Sequence, residues 1–250
     1  MFQLSSFMAY CGAMTTYVLV HGAWGGAWIW RRVLGPLRGA GHEVHAVTLT
    51  GDGERAHLRR ADISLQDHID DVLGLIHAEE LPDIVLVGHS YGGMVITGVA
   101  DALLARGAVH IKQLVYVDAM VPLPGEGWGA GHPPEIVQAR LAAAKAHDNA
   151  LPPPDPIDFG IEGADRDWLL RRQVQHPFGM YRVPLPFDGA RWAALPRCFI
   201  DCTRPAYSTI DAMRARVRSQ PGWQIVEIAS GHCPMVSAPQ EVVRTLLSLA

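Results

Sequence analysis

The run Ile84-Val85-Leu86-Val87, continued by Gly88-His89-Ser90-Tyr91-Gly92 and then by a helical pattern over residues 92–105, constrains this chain more than any other segment. Four apolar residues without polar alternation read as a strand covered on both faces, the environment of a parallel sheet with helices packed on it. Glycines at 88 and 92 allow a sharp strand-to-helix turn, because a side chain at either position would meet the folded-back chain. A serine at the centre of such a turn is lifted clear of the sheet, which makes Ser90 a candidate nucleophile. The five-residue pattern alone is short enough to arise by chance. Its weight comes from the strand before it and the helix after it.

The surrounding sequence repeats this alternation. Tyr17-Val18-Leu19-Val20 and Val44-His45-Ala46-Val47 read as strands before the turn; Leu114-Val115-Tyr116-Val117, Phe199-Ile200 and Ile225-Val226-Glu227-Ile228 read as strands after it. Helices are expected over 28–37, ended by Gly39 and Gly41, and over 240–249. Ser64 and Asp67 form a capping-box pattern opening a helix whose buried face is Ile69, Val72, Leu73 and Ile76. Between residues 121 and 187 the pattern changes, since eleven of the eighteen prolines fall there. Proline cannot donate to a sheet ladder, so this stretch reads as an insertion of about 121–190. Helical pieces within it are expected over 135–147 and 165–173, and its aromatic and aliphatic content argues against a solvated linker.

With 250 residues, 49% of them apolar, residues 14–250 suffice for one α/β domain carrying that insertion as a cap. Residues 1–13 have neither a basic start nor a long apolar stretch, so they read as an N-terminal extension rather than a secretory signal. No stretch reaches the about 18 apolar residues of a membrane span. The net charge of -4, with scattered Lys and Arg, offers no basic stripe and points away from nucleic acid and anionic membrane surfaces as partners. Four irregularly spaced cysteines form no disulfide framework or zinc motif; reduced thiols and a cytoplasmic location are expected. The pattern allows a homodimer.

A serine nucleophile needs a base, an acid to orient that base, and donors for the oxyanion. His232 follows the last expected strand and precedes the final helix, so its imidazole can reach over the C-terminal sheet edge. The other histidines read mostly as helix or surface-loop residues, and His89 as turned inward to support the turn. Backbone N–H groups of Tyr91, next to the nucleophile, and of Ala23, in the loop His21-Gly22-Ala23-Trp24-Gly25-Gly26 after the first strand, are the candidate oxyanion donors. Without a serine turn nearby, that loop would read as an ordinary glycine-rich turn.

Tyr17 through Trp30 (YVLVHGAWGGAWIW) and Leu86 through Met94 (LVGHSYGGM) resemble the α/β-hydrolase superfamily, and within it the branch of plant methyl esterases and hydroxynitrile lyases. The resemblance covers residues 17–122 well and 197–250 moderately, and does not extend to the cap. It implies an α/β-hydrolase fold with a mostly parallel central sheet, helices on both faces and an inserted cap. It further implies cofactor-free chemistry on small hydrophobic substrates, with the triad in the chain order Ser, Asp or Glu, His. The lyases carry threonine and lysine where this chain has Gly22 and Cys233, which favours ester hydrolysis over cyanide release. Where plant members place their aspartate, this chain has Arg204-Pro205. Asp118, at the tip of the strand following the Ser90 helix, is an acid site used elsewhere in the superfamily and is preferred; Asp201 is the alternative, and Asp211 falls on a helix.

The expected activity is therefore serine-dependent hydrolysis of a small hydrophobic carboxylic ester through an acyl-enzyme. A lactonase, thioesterase, C–C hydrolase or lyase on the same scaffold, or a catalytically weak ligand-binding protein, are the competing readings. Gly22, Trp24, Met120 and Trp128 are the candidate substrate-binding residues, with Tyr91, Phe178 and Tyr181 as further aromatic candidates; each side chain taken alone reads more readily as core, and only their shared place near the mouth of the sheet selects them.

Overall fold

Six parallel strands form the central sheet of the computed structural model, which describes residues 14–107 and 109–250. The expected extension over 1–13, with Cys11, lies outside the described residues. In chain order the sheet strands are β1 (Thr16–Val20), β2 (Glu43–Val47), β3 (Asp83–His89) and β4 (His110–Val117) before the cap, then β7 (Arg197–Cys202) and β8 (Trp223–Ile228) after it. Their spatial order is β2-β1-β3-β4-β7-β8. The Ser90 strand β3 therefore lies inside the sheet, flanked by β1 and β4. This placement explains its composition: residues 84–88 of β3 are fully enclosed, as are β1 and the C-terminal half of β4.

Helices pack around the sheet. The expected helix over 28–37 is a 3-10 turn (Ala27–Trp30) leading into α1 (Arg31–Gly39). Helix α2 (Leu65–Ala78) begins at the Ser64–Asp67 capping box, with reciprocal hydrogen bonds, and buries the four apolar residues assigned to its inner face. Helix α3 (Gly92–Arg106) starts directly behind Ser90 and packs against α2. The C-terminal helix α9 (Pro239–Ser248) packs on α1 and is pinned to β1 by the Tyr17 hydroxyl, which donates to Leu246 O at 2.8 Å.

Between β4 and β7 the chain adds no strand to the main sheet. It forms α4 (Pro134–Ala146), α5 (Gly163–Leu170), α6 (Gly189–Ala193) and a separate two-stranded antiparallel pair, β5 (Ala150–Leu151) with β6 (His176–Pro177). The helix expected over 165–173 thus starts two residues earlier and ends three residues sooner, and the short β5–β6 pair had no sequence signal. Among the described residues no helix is long and apolar enough to cross a membrane.

One buried polar pair ties this segment to the loop that follows β2. His176 Nδ1 lies 3.0 and 2.8 Å from the carboxylate oxygens of Asp52, and both side chains are fully enclosed. Burial pushes the Asp52 pKa up to about 7 and the His176 pKa down to about 3. An unfolded aspartate releases its proton near ~3.9, whereas folded Asp52 holds it to about 7. Folding therefore takes up a proton in this window, so stability from this group is present below pH ~4 and is lost as pH rises towards 7. Asp52→Asn has no proton to lose. Its Tm is expected to gain on that of the parent as pH is raised from about 5 to 8; parallel melting curves would refute this account of Asp52.

Candidate active site

Ser90 sits at φ 52, in the left-handed region, where a residue other than glycine carries strain of about 1–3 kcal/mol. Three backbone hydrogen bonds hold it there: its N–H donates to Val117 O, and its carbonyl accepts from Gly93 N and Met120 N. The flanking glycine is a steric requirement, since a Cβ at Gly88 would stand 2.6 Å from Gly92 O.

His232 lies in the loop between β8 and α8 (Pro234–Ser237), and its N–H donates to Phe159 O of the cap. Its Nε2 is 2.9 Å from Ser90 Oγ and its Nδ1 is 2.7 Å from Asp118 Oδ2. Donation from Nδ1–H to the carboxylate leaves the Nε2 lone pair facing the serine hydroxyl. Asp118 directly follows β4 at φ 43, with its N–H on Ile200 O. Both Asp118 and His232 are almost wholly shielded from solvent.

Arg214, on α7 (Asp211–Ser219), separates the roles of the neighbouring aspartates. Its guanidinium donates to Asp118 Oδ1, Asp201 Oδ1 and Asp211 Oδ1, each at 2.7 Å. Burial opposes its charge, but the attraction of Asp118 and Asp201 outweighs that penalty and raises its pKa overall. Asp201 turns its second oxygen to Arg218 at 2.6 Å. Asp118 thus has one oxygen on the arginine and one on the imidazole, while both Asp201 oxygens are occupied by guanidinium groups.

The loop after β1 is fastened by His21. Its Nε2 accepts from Leu49 N–H at 3.0 Å, so its Nδ1–H donates to Gly22 O at 2.6 Å. Burial lowers its pKa and keeps it neutral in that role. Gly22 presses against the nucleophile: a Cβ there would lie 2.8 Å from Ser90 Cβ. Among the described loops and turns, the N–H groups of Ala23 and Tyr91 donate to no carbonyl. The Tyr91 ring turns inward, its hydroxyl 3.0 Å from His68 Nδ1 and its ring against Trp128 and His176.

A narrow pocket of about 20 Å³ adjoins Ser90 and His232, walled by Gly22, Ala23 and Cys233 and by Trp24, Trp28, Ile29, Phe159, Leu169 and Gln173. Trp24, at φ 65, also walls a larger outer cavity of about 310 Å³. There it faces the Pro152-Pro153-Pro154 run, one side of α4 and Tyr207, whose ring lies 4.4 Å from that of His232.

Of the residues singled out in the sequence, Ser90, His232, Asp118, Gly22, Ala23 and Trp24 come together. Met120 and Trp128 are not brought to that group: neither lines the pocket at Ser90 or the outer cavity. Met120 contributes its backbone to the serine turn, and Trp128 is core, packed on Tyr91, His176 and Tyr181. Phe178 and Tyr181 stack on each other in the same cluster. His89 turns inward as expected, its Nε2 donating to His232 O at 2.8 Å. Of the remaining histidines, read mostly as helix or surface-loop residues, His68 does lie on a helix, α2, while His21, His132 and His176 lie off the helices; all four are buried. Phe159, Leu169, Gln173, Tyr207 and Arg214 carried no usable sequence signal, since their roles depend on contacts distant in the chain. Cys198, Cys202 and Cys233 are unpaired and buried. Among the described residues no group of three or more His, Cys, Asp or Glu is gathered as a metal site.

Comparison with known proteins agrees with this architecture. The profile of the alpha/beta hydrolase family matches residues 17–245. The chain is 42% identical over 245 residues to a carbendazim hydrolyzing esterase of Nocardioides sp. (strain SG-4G), covering 94% of this chain and all of that protein. It is 28% identical to methylesterase 3 of Arabidopsis thaliana, covering 93% and 95% of the two chains. Among solved structures, an extracellular alpha/beta-hydrolase from a Paenibacillus species superposes with a TM-score of 0.78 at 21% identity, over 94% of this chain and 99% of that one.

Proposed function

The chain belongs to the alpha/beta hydrolase family, and from that premise we propose that it is a serine carboxylesterase acting on small, largely hydrophobic esters through an acyl-enzyme. The observation that carries this reading is the unbroken relay from Ser90 Oγ to His232 Nε2 and from His232 Nδ1 to Asp118, at 2.9 and 2.7 Å. His232 takes the Ser90 proton as Oγ adds to the ester carbonyl. Asp118 holds the imidazole in the required tautomer and stabilises the imidazolium. The Ala23 and Tyr91 N–H groups receive the oxyanion, which a fixed pair of donors stabilises at no reorganisation cost. His232 then gives its proton to the departing alkoxide, and water, activated by the same imidazole, releases the acid.

Gly22 and Cys233 support hydrolysis over elimination of cyanide. No side chain fits at Gly22 beside Ser90, and burial pushes the Cys233 thiol up to about 12, so it is a neutral wall rather than a cation for a leaving anion. Apolar walls at Trp24, Ile29, Phe159 and Leu169 suit an uncharged substrate, and the outer cavity gives room for its larger half. Three unpaired cysteines are in keeping with a reducing, cytoplasmic setting. Because a relative is named for carbendazim hydrolysis, that compound belongs in the substrate panel.

Pre-steady-state mixing with p-nitrophenyl acetate tests the reading. A burst of p-nitrophenol stoichiometric with enzyme, followed by slower turnover, is the expected result. Folded protein that turns over no p-nitrophenyl ester would overturn it, and cyanide release from mandelonitrile would replace it with a lyase.

A further inference from the structure

Two arginines are buried among the described residues, Arg197 and Arg214, and they differ in what neutralises them. Arg214 meets three aspartates. Arg197, 6% exposed at the start of β7, has no carboxylate acting on it among the described residues. Its guanidinium carbon lies 4.4 Å from the Trp192 ring centroid and 4.8 Å from that of Trp223, its register partner on β8. Nη2 donates to Ala193 O at 3.2 Å and to Pro221 O at 3.4 Å, Nε is shielded from solvent without a partner, and Nη1 makes no hydrogen bond among the described residues. Indole faces and carbonyls attract the cation, but none carries a net charge. Burial lowers the Arg197 pKa, yet a guanidinium stays protonated in a protein. A whole positive charge is thus enclosed by neutral groups, an arrangement strongly disfavoured unless the charge is paired.

The same residues open onto a cavity. Trp192, Ala193, Arg197, Pro221 and Gly222 line a space of about 450 Å³ together with Leu123 and Pro124. The charged end of Arg197, rather than its stem, stands at this wall: Nη2 bonds to the carbonyls of two lining residues and lies 2.9 Å from where a Cβ of Gly222 would be. The lining adds the Gln220 amide and no carboxylate. None of these residues lines the pocket at Ser90 or the outer cavity. Arg197 pairs with Leu114 on β4, and Asp118 comes four residues later, roughly 13 Å along the strand.

We propose that this cavity is a second binding site, for a monocarboxylate with an apolar body, whose carboxylate pairs with Arg197. One guanidinium balances one negative charge, and its planar fork matches the two oxygens of a carboxylate. A phosphate dianion would leave a charge over. Leu123, Pro124 and Trp192 offer the apolar body cover from water.

Titration of nitrogen-15-labelled protein with cyclohexanecarboxylate tests this, read at the indole N–H resonances assigned with Trp192→Phe, Trp223→Phe, Trp24→Phe and Trp28→Phe. The Trp192 and Trp223 signals are expected to shift and saturate with a Kd of about 1 mM, the scale of one ion pair and a small apolar body. Cyclohexanecarboxamide, which keeps the shape without the charge, and inorganic phosphate are expected to bind at least about 10-fold more weakly. Arg197→Gln removes the charge, and Ala193→Leu fills the cavity from an exposed position while leaving the charge in place. Each is expected to abolish the saturable shift, and Ala193→Leu decides the matter alone if Arg197→Gln does not fold. Signals that stay still up to about 20 mM carboxylate, or that respond equally to the carboxamide or to phosphate, would overturn the proposal. So would movement confined to Trp24 and Trp28, which line the Ser90 pocket, or a saturable shift that survives in Ala193→Leu.

Discussion

Ser90→Ala is expected to lower kcat for an activated ester by about 10⁴- to 10⁶-fold, the scale on which serine hydrolases lose their nucleophile. The residual rate should stay above that in buffer, because oxyanion donors and binding act without the serine. The loss should come with little change in stability. Alanine keeps the Cβ and inherits the same strained φ of 52, and the three hydrogen bonds that hold the turn all involve backbone atoms. Initial rates with p-nitrophenyl acetate alongside thermal melts separate the two effects. A variant that keeps a tenth of the activity while folded would mean that Ser90 is not the nucleophile.

Asp118→Asn should cost about 10⁴-fold in kcat. The substitution preserves size and tolerates the left-handed φ of 43, since Asn adopts that region more readily than most residues. What it removes is the charge that keeps the His232 proton on Nδ1; an amide N–H facing Nδ1 forces the proton to Nε2 and abolishes the base. Asp201→Asn is the contrasting variant. Asp201 lies beside the same arginine but makes no contact with His232, its oxygens being held by Arg214 and Arg218. Its loss should therefore appear mainly as instability of about 1–3 kcal/mol, with kcat changed less than about 10-fold. Comparing kcat and urea midpoints for the two variants decides the matter, and equal rate losses would undermine the assignment of the acid.

The difference between these aspartates shows where sequence reading stops. Asp118 was accessible because it follows a strand whose apolar pattern is local, and Ser90 and the Ser64 capping box were accessible for the same reason. Arg214, which occupies Asp201 and shares Asp118, acts across 96 residues and carries no local mark; its i,i+3 spacing from Asp211 looks like an ordinary helix-surface pair. The pairing of His176 with Asp52 spans 124 residues, so no pattern around either residue announced its burial. In the cap, proline content indicated departure from the sheet but could not tell which residues turn inward. Phe159, Leu169 and Gln173 reach the pocket, whereas Trp128, a natural candidate by residue type, is consumed in an aromatic cluster. Side-chain direction in an irregular segment follows from packing partners, not from a period of two or 3.6 residues.

Mass mapping of the protein after reaction with a fluorophosphonate probe tests the central claim most directly. The relay through His232 to Asp118 should place a single adduct on the peptide containing Ser90, absent in Ser90→Ala and formed far more slowly in Asp118→Asn. An unmodified Ser90 in folded wild-type protein, or an adduct on another residue, would contradict it.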